Sequence, residues 1–433
     1  MAQDATPAPG AAEIVATYTL GTVPIGETLN AVLGEGAIGD DRGIPFGGLG
    51  SDLWRAPGDP AGAFWMVTDR GPNVDVEVDG DERLSFPVPG YTPTILHVRA
   101  AGDALELVAA IPVVGRSGAG VTGLPNRDGA DPQPWGYLGE QQLAFNPSGL
   151  DTEGLVRGAD GAFWLADEYA PSLVKVGADG VVAARYVPAG TSLTGADYPV
   201  EETLPAIYGA RRGNRGFEGL AISPDQSTLY LLLQSPLNNP DKDTGEASRI
   251  SRLLAVDAAT GVPTAEYAYV LEEGPGFDPA EGIEQGDMKL SGIVSVDADT
   301  AIVLERTDDV ARLYTIEFGQ ATNLLGSRWD EPATAPSLEA ADLAEAGVTA
   351  VAKTLLADLA LPGMPTKIEG IAVVDDQTIA VANDNDFDLG SLEDGAGRWV
   401  SGEKPNRVLL VRVAGGLPAA SGAAEAAAAT PAP

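Results

Sequence analysis

An all-β fold, organised as a β-propeller of five four-stranded blades, is predicted by three observations. Five times a small or acidic residue stands directly before Gly-Leu or Gly-Ile and opens an apolar stretch: Gly47-Gly48-Leu49, Glu153-Gly154-Leu155, Glu218-Gly219-Leu220, Ser291-Gly292-Ile293 and Glu369-Gly370-Ile371. Each opening is followed by a second apolar run ending in polar residues, at Asp69-Arg70, Asp167-Glu168, Gln234-Ser235, Glu305-Arg306 and Asn383-Asp384. Between them, short β-branched and aromatic runs alternate with Gly, Asp, Asn and Pro, the pattern of strands and turns. A unit that recurs at this scale and returns carboxylates to one place fits a radial fold with a shared centre.

Taken in order, unit one is expected to hold strands near Gly48–Trp54, Ala63–Thr68, Thr94–Arg99 and Leu105–Pro112. Unit two holds Glu153–Arg157, Phe163–Ala166, Leu173–Val176 and Val181–Val187, with turns at Ala159-Asp160-Gly161 and Ala178-Asp179-Gly180. Unit three holds Glu218–Ile222, Leu229–Leu233, Arg252–Val256 and Ala265–Leu271, and unit four Leu290–Val296, Ala301–Leu304, Arg312–Phe318 and Val351–Leu359. Unit five has Ile368–Val374, Thr378–Ala382 and Arg407–Val413, and lacks a fourth strand. The N-terminal run Glu13–Leu20 can supply it, closing the ring and removing an open edge. Six blades rank second, because Gly115–Ser148 could hold irregular strands, and a β-sandwich a distant third. Only Leu338–Ala346 reads as a short helix. Residues 1–12 are expected to be a flexible lead, 13–414 one propeller domain, and 415–433 a disordered Ala/Pro-rich tail.

The chain carries 63 acidic and 26 basic residues in 433, a net charge of −37. Such a field repels nucleic acid and anionic membranes and attracts cations. Most of these carboxylates are expected to be a solvated shell. With no cysteine, disulfides and thiolate chemistry are excluded. The single histidine, His97, lies in an alternating strand and is read as structural; it cannot supply a histidine metal cluster. No apolar run reaches the length of a membrane span. The stretch Ala2–Ala12 has the texture of the start of a mature exported protein, so a secreted or periplasmic location is expected, without a signal peptide in this sequence.

In a propeller blade the innermost strand starts and the second strand ends on the same face of the disc. The repeated polar positions therefore converge: Glu153, Glu218, Glu369, Asp69, Glu168, Gln234, Glu305, Asn383 and Asp384. So many carboxylates cannot all stay ionised without a counter-charge. Oxygen-only ligands favour a hard cation, Ca²⁺ first and Mg²⁺ or Mn²⁺ next. Glu153, Glu218, Glu369 and Asp384 are the expected ligands, with Asp69 and Glu168 completing the shell. Arg70, Arg306 and Lys367 flank them, and Arg211, Arg212 and Arg215 precede Glu218. These cations can pair with the acids or bind a substrate anion. Units one and four carry Gly47 and Ser291 in place of the glutamate, and those sides are where a substrate could pass. The loops Asp69–Asn73 and Asn383–Phe387 can instead be Asx-capped turns. Asn238–Asp243 lacks the spacing of an EF-hand.

At these residues the chain resembles the phytase-like domain family described as having esterase-like activity. The resembling segments are DRGPN (Asp69–Asn73), DTEGL (Asp151–Leu155), ADEYAPSL (Ala166–Leu173), GFEGLAISPD (Gly216–Asp225), LQSPL (Leu233–Leu237), LER (Leu304–Arg306), KIEGIA (Lys367–Ala372) and NDNDF (Asn383–Phe387). The resemblance implies a secreted or periplasmic β-propeller acting as a metal-dependent phosphoester hydrolase. The β-propeller phytases, which use calcium clusters, are similar in architecture, although no motif here maps residue by residue onto theirs.

The expected chemistry is therefore hydrolysis of a small anionic phosphoester by a monomer. Arg70 and Arg306 would orient the phosphoryl group, and Glu168 or Glu305 would take the proton of the attacking water. The alternative is a non-catalytic propeller whose cation is structural and whose mouth binds a ligand or protein. Carboxylesterase action is disfavoured, because no G-x-S-x-G elbow is present. A metal-free carboxylate pair acting on glycosides would need aromatic platforms, for which Trp135, Tyr137 and Tyr169 are modest candidates.

Overall fold

Four strands of the second unit show why these runs become sheet. Thr152–Arg157, Phe163–Asp167, Ser172–Val176 and Val182–Pro188 pair antiparallel in sequence order, and Val200–Leu204 adds a parallel fifth strand outside. Phe163–Asp167 is buried at every position, because both sheet faces are covered, so it reads as a continuous apolar run. Outer strands such as Ala12–Leu20 keep one wetter face and alternate instead.

The structure, a computed structural model, describes residues 10–56, 58–60, 62–392 and 398–418. Units three and four are four-stranded sheets: Phe217–Ile222, Thr228–Leu233, Ile250–Asp257 and Pro263–Val270, then Lys289–Ser295, Thr300–Arg306, Ala311–Glu317 and Ala352–Asp358. Unit one comprises Asp52–Trp54, Ala63–Val67, Thr94–Ala101 and Ala104–Pro112. In unit five, Ile368–Val373, Thr378–Asn383 and Arg407–Val413 are completed by Ala12–Leu20, which pairs antiparallel with Arg407–Val413. The N-terminal strand thus joins the last sheet, as its sequence suggested. Its end also meets unit one in parallel at Thr19–Ala104 and Leu20–Leu105, so units one and five form one eight-stranded sheet.

Five apolar clusters sit between successive units. Val67 and Ile95 meet Leu155 and Leu165; Val156 and Trp164 meet Leu220 and Leu231. Leu232 and Leu253 meet Ile293 and Val303, and Ile302 and Leu304 meet Ile371 and Val381. Ala372 and Ala380 meet Leu53 and Phe64, which returns the circuit to unit one. We read this circuit as a five-bladed propeller, with each blade's two faces buried against its neighbours.

Several elements differ from expectation. The first inner strand is Asp52–Trp54 rather than Gly48–Trp54, because Gly48 turns the chain with φ +58°. Leu338–Ala346 is not a continuous helix: only Leu338–Ala340 forms a 3₁₀ turn, anchored by buried Leu338 and Glu339. A helix at Ile25–Leu33, burying Ile25 and Leu29, has no counterpart in the sequence reading. Gly115–Ser148 contributes one short strand, Pro134–Trp135, to a small sheet with Val74–Val78 and Asp81–Ser85. Of the expected flexible ends, residues 1–9 and 419–433 lie outside the described residues. Ala12 already pairs with Val413, and Leu417 N–H donates to Asp376 O at 2.8 Å.

Candidate functional site at the channel mouth

The repeated Glu-Gly pair is a β-bulge. Ala166 faces Gly154 and Asp167 faces Thr152, so Glu153 is an extra residue with no partner in the ladder. Glu218 is skipped in the same way between Phe217 and Gly219, and Glu369 between Ile368 and Gly370. A bulge re-aims the side chain it inserts, and all three glutamates turn into one cavity at the mouth of the channel. The following glycine is required by crowding rather than by φ. A Cβ on Gly219 would lie 2.2 Å from Ser291 O, and one on Gly292 2.7 Å from Glu369 O. The motif thus sets two things together: the acid's aim and the approach of the next inner strand.

The cavity holds about 290 Å³ and is lined by eight acidic and five basic side chains. With every group ionised, three negative charges remain unmatched. The second-strand ends supply the rest of the wall: Glu168, Gln234, Arg306 and Asp384, each one residue beyond the partner of the pre-bulge position, and Asp69 two residues beyond Val67 in unit one, whose ladder has no bulge. Glu305 does not. It pairs with Leu290, one residue short of the lining position, and a one-residue offset reverses a side chain's face. Its carboxylate instead accepts from Tyr269 Oη at 3.0 Å and Lys353 Nζ at 2.8 Å. Asn383 sits at the same offset and accepts Arg407 N–H at 2.8 Å. The expectation that Glu305 and Asn383 belong to the site is corrected by this register.

Two triads of carboxylates bring oxygens within 4.8 Å of one another: Asp151, Glu153 and Glu168, and Glu153, Glu218 and Glu369. Glu153 belongs to both. Asp384 and Asp69, expected as ligands, are in neither triad. Asp384 is held by Lys367 Nζ at 2.7 Å, and Asp69 accepts the N–H of Gly71 at 2.7 Å. Asp151 was missed because it precedes the Glu-Gly bulge and has no equivalent acid in the other units. Lys289 and Arg215 were also outside the converging set, one opening the fourth inner strand and the other preceding the third.

Ion pairs consume much of the positive charge. Arg306, 1% exposed, bridges Glu369 and Glu218, and its Nε donates to Ser291 Oγ at 2.9 Å. Ser291 in turn donates to Glu218 at 3.1 Å, so the unit that lacks the glutamate contributes a hydroxyl and a guanidinium instead. Arg70 pairs with Asp151 at 3.1 Å and donates to Asn73 and Asn214. No arginine or lysine lies within 4 Å of Glu153, Glu168 or Asp69 among the described residues. Burial pushes the Glu153 carboxyl well above the usual range, and Glu218, Asp151, Glu168 and Glu369 push it further. Glu168 is raised by burial and then by Glu218 and Asp151. Burial also opposes charge on Asp384, but Lys367 outweighs it and holds that carboxyl below its ordinary value. Oxygen donors in excess of protein cations fit a hard divalent ion, with Glu153 as the shared ligand.

Access through the glutamate-free sides is not what the geometry offers. A Cβ at Gly47 would lie 2.1 Å from the Phe387 Cα, so that side is covered by the Asp386–Asp388 turn. Ser291 is tied under Arg306. The aromatic candidates are also elsewhere: Trp135 stacks under Arg83, and Tyr169 is buried with its hydroxyl on Gly123 O. Tyr137 likewise stacks under Arg42, and neither it nor Trp135 lines the cavity. His97 lies flat on Trp65, ring centroids 4.4 Å apart, far from the channel chemistry in role.

The chain is 28% identical over 296 residues to an uncharacterized secreted protein of Arthroderma benhamiae, spanning 58% of this chain and 57% of the relative's length. Among solved structures it is similar to a luciferin-regenerating enzyme (12% identity, TM-score 0.35, covering 95% of this chain and 99% of that one). A PQQ-bound aldose sugar dehydrogenase of Streptomyces coelicolor aligns at 13% identity and TM-score 0.35, covering 94% and 100% of the two chains. The calcium-binding protein regucalcin of Agrobacterium tumefaciens aligns at 14% and 0.31, covering 85% and 92%. The fold assignment rests on the strand topology rather than on these likenesses. Residues 44–387 match the model of the family described as esterase-like activity of phytase, and with that match spanning most of the chain the protein belongs to the phytase-like family.

Proposed function

We propose that this protein is a metal-dependent phosphoester hydrolase whose reaction centre is the acidic cavity at the channel mouth. The observation that carries the reading is Glu153, shared by two carboxylate triads and paired with no cation among the described residues. Asp151, Glu153, Glu168, Glu218 and Glu369 would hold one or two divalent ions, Ca²⁺ ahead of Mg²⁺ or Mn²⁺. A cation held there supplies Lewis acidity: it lowers the pKa of a water and offsets charge building on phosphoryl oxygens.

The chain's own residues do the remainder. Glu168, whose Oε1 accepts the N–H of Gly216 at 3.2 Å, takes the proton of the attacking water. The water oxygen bonds to phosphorus as the bond from phosphorus to the alcohol oxygen breaks, and the departing alkoxide takes a proton from solvent. Arg70, fixed by Asp151 and Asn73, holds the rim of the cavity and orients the substrate. The family match supports phosphoester chemistry. The secreted relative supports export, and no helix among the described residues is long and apolar enough to cross a membrane. We take a small anionic phosphoester as the substrate and a monomer as the working unit.

Hydrolysis of an aryl phosphate tests the reading. EDTA should abolish turnover, Ca²⁺ or Mn²⁺ should restore it, and Glu168→Gln should lower kcat with little change in KM. Chelator-insensitive turnover overturns the metal's role. A chelator-dependent fall in Tm with no ester hydrolysed would assign a structural cation on a binding module.

A further inference from the structure

The cavity's charges are not mixed evenly. Asp69, Asp151 and Glu168 come from the facing ends of units one and two. Arg215 and Lys289 stand together on the side of units three and four, and Gly216, next to Arg215, donates its N–H to Glu168 Oε1 at 3.2 Å. Arg215 Nη1 donates to Ser235 Oγ at 2.8 Å, and Ser235 donates to the carbonyl of Met288, the residue before Lys289. Lys289 Nζ is held by Asp308 at 2.6 Å, an aspartate whose side chain is 63% exposed and outside the cavity wall.

Arg215 differs from the other lining cations. Arg306, Arg70, Lys367 and Lys289 each have a carboxylate partner, whereas no carboxylate lies within 4 Å of Arg215 among the described residues. Burial, with Arg212 and Arg306, pulls its guanidinium down to about 10 against the more distant Glu168 and Glu218. A side chain oriented by a serine and left without an acid retains N–H donors for an external anion.

We infer that Arg215, oriented by Ser235, and Lys289 form an anion subsite that receives the non-bridging oxygens of a phosphate monoester dianion. The inference rests on the hydrolase reading for the bond that is cut, but not for the binding of the anion. Arg215 brings a cation without a carboxylate partner and Lys289 a second one shared with exposed Asp308, so a monoester is preferred over a diester, which brings one charge and a second substituent. The small cavity admits a phosphoryl group and the adjoining part of its alcohol.

Binding of inorganic phosphate in the presence of Ca²⁺, measured calorimetrically on the full chain, tests this. Arg215→Gln should weaken it at least tenfold and Lys289→Gln less, with Arg215→Lys intermediate. Arg412→Gln, on the third strand of unit five and paired with Glu13, makes the same charge change and should leave binding unaltered. Wild type should bind methyl phosphate more tightly than dimethyl phosphate, and Arg215→Gln should erase the difference. Equal phosphate affinity in Arg215→Gln and Arg412→Gln, with both folded by their Tm, overturns the subsite. Phosphate bound through Arg215 with no ester hydrolysed keeps the subsite and removes the hydrolase. Ester hydrolysis with a KM indifferent to Arg215 does the reverse.

Discussion

Arg185 donates to Asp167 at 2.6 Å with both side chains fully buried, and the other oxygen of Asp167 accepts the N–H of Asp151 at 2.7 Å. The guanidinium is filled on every side, by Ser172, Asn126, Tyr198 and the carbonyls of Gly149 and Tyr169. One buried ion pair therefore sets the backbone from which the Asp151 carboxylate reaches the cavity. Removing one partner of such a pair leaves an uncompensated charge, typically costing about 3–5 kcal/mol. Asp167→Ala should lower unfolding stability by that order in urea denaturation. Cavity chemistry should be lost with it even though residue 167 does not line the cavity. A loss under about 1 kcal/mol would mean the network is not what holds this loop.

Gly219 offers a test of the bulge-and-glycine arrangement. Its missing Cβ would overlap Ser291 O at 2.2 Å, a backbone atom that cannot turn aside. Gly219→Ala should cost about 3 kcal/mol, the upper end of what overpacking does. Gly209→Ala, where nothing lies within 4 Å, should fall within about 0.5 kcal/mol of wild type. Thermal denaturation of the pair reads the difference; equal Tm values would contradict the close packing of the inner strands.

How far the sequence reveals this molecule follows from register. Strand runs were legible because both faces of the middle strands are buried, leaving uninterrupted apolar runs such as Phe163–Ala166 between turn residues. The N-terminal strand was legible because unit five was one strand short. The site was legible wherever a bulged glutamate recurs, and at Glu168, Gln234, Arg306 and Asp384, which share one position in the repeat. Glu305 misled because acidity cannot distinguish neighbouring residues that face opposite ways across a sheet. Arg215 was legible only as one of three arginines before Glu218, of which the fold brings it alone to the wall, and Asp151 and Lys289 have no repeat to announce them. The helix at Ile25–Leu33 was missed because its nine residues give little period to detect.

His97, the single histidine, gives a pH test with one imidazole resonance to follow. Burial against Trp65, with Arg157 and Arg99 nearby and only Asp59 opposing, holds its pKa below the ordinary value of 6.5. The folded state therefore binds this proton less readily than the unfolded chain does. The stabilising contribution is complete above the unfolded value and is lost as pH falls through 6.5 toward the folded value. The lone imidazole resonance should titrate below 6.5 in native protein and return to the ordinary value in denaturant. His97→Phe should flatten this part of the acid limb while leaving phosphate binding unchanged. A native midpoint above 6.5 would contradict the stacked, half-buried environment.

Glu153 separates a ligand site from an ordinary buried acid. In metal-free protein it is a desolvated carboxylate surrounded by Glu218, Asp151, Glu168 and Glu369, with no cation within 4 Å among the described residues. Glu153→Gln keeps the shape and removes the charge, so the metal-free variant should be more stable than wild type, by on the order of 1 kcal/mol. With Ca²⁺ added the order should reverse. Wild type gains stability with ligand concentration, about 2.7 kcal/mol at a hundredfold excess over Kd, and the variant, lacking the ligand common to both triads, gains little. Differential scanning calorimetry of the two proteins with EDTA and with Ca²⁺ reads all four states. Parallel shifts in both would remove Glu153 from the cation site, whereas a crossing of the two series is the behaviour of a residue kept for binding at the expense of stability.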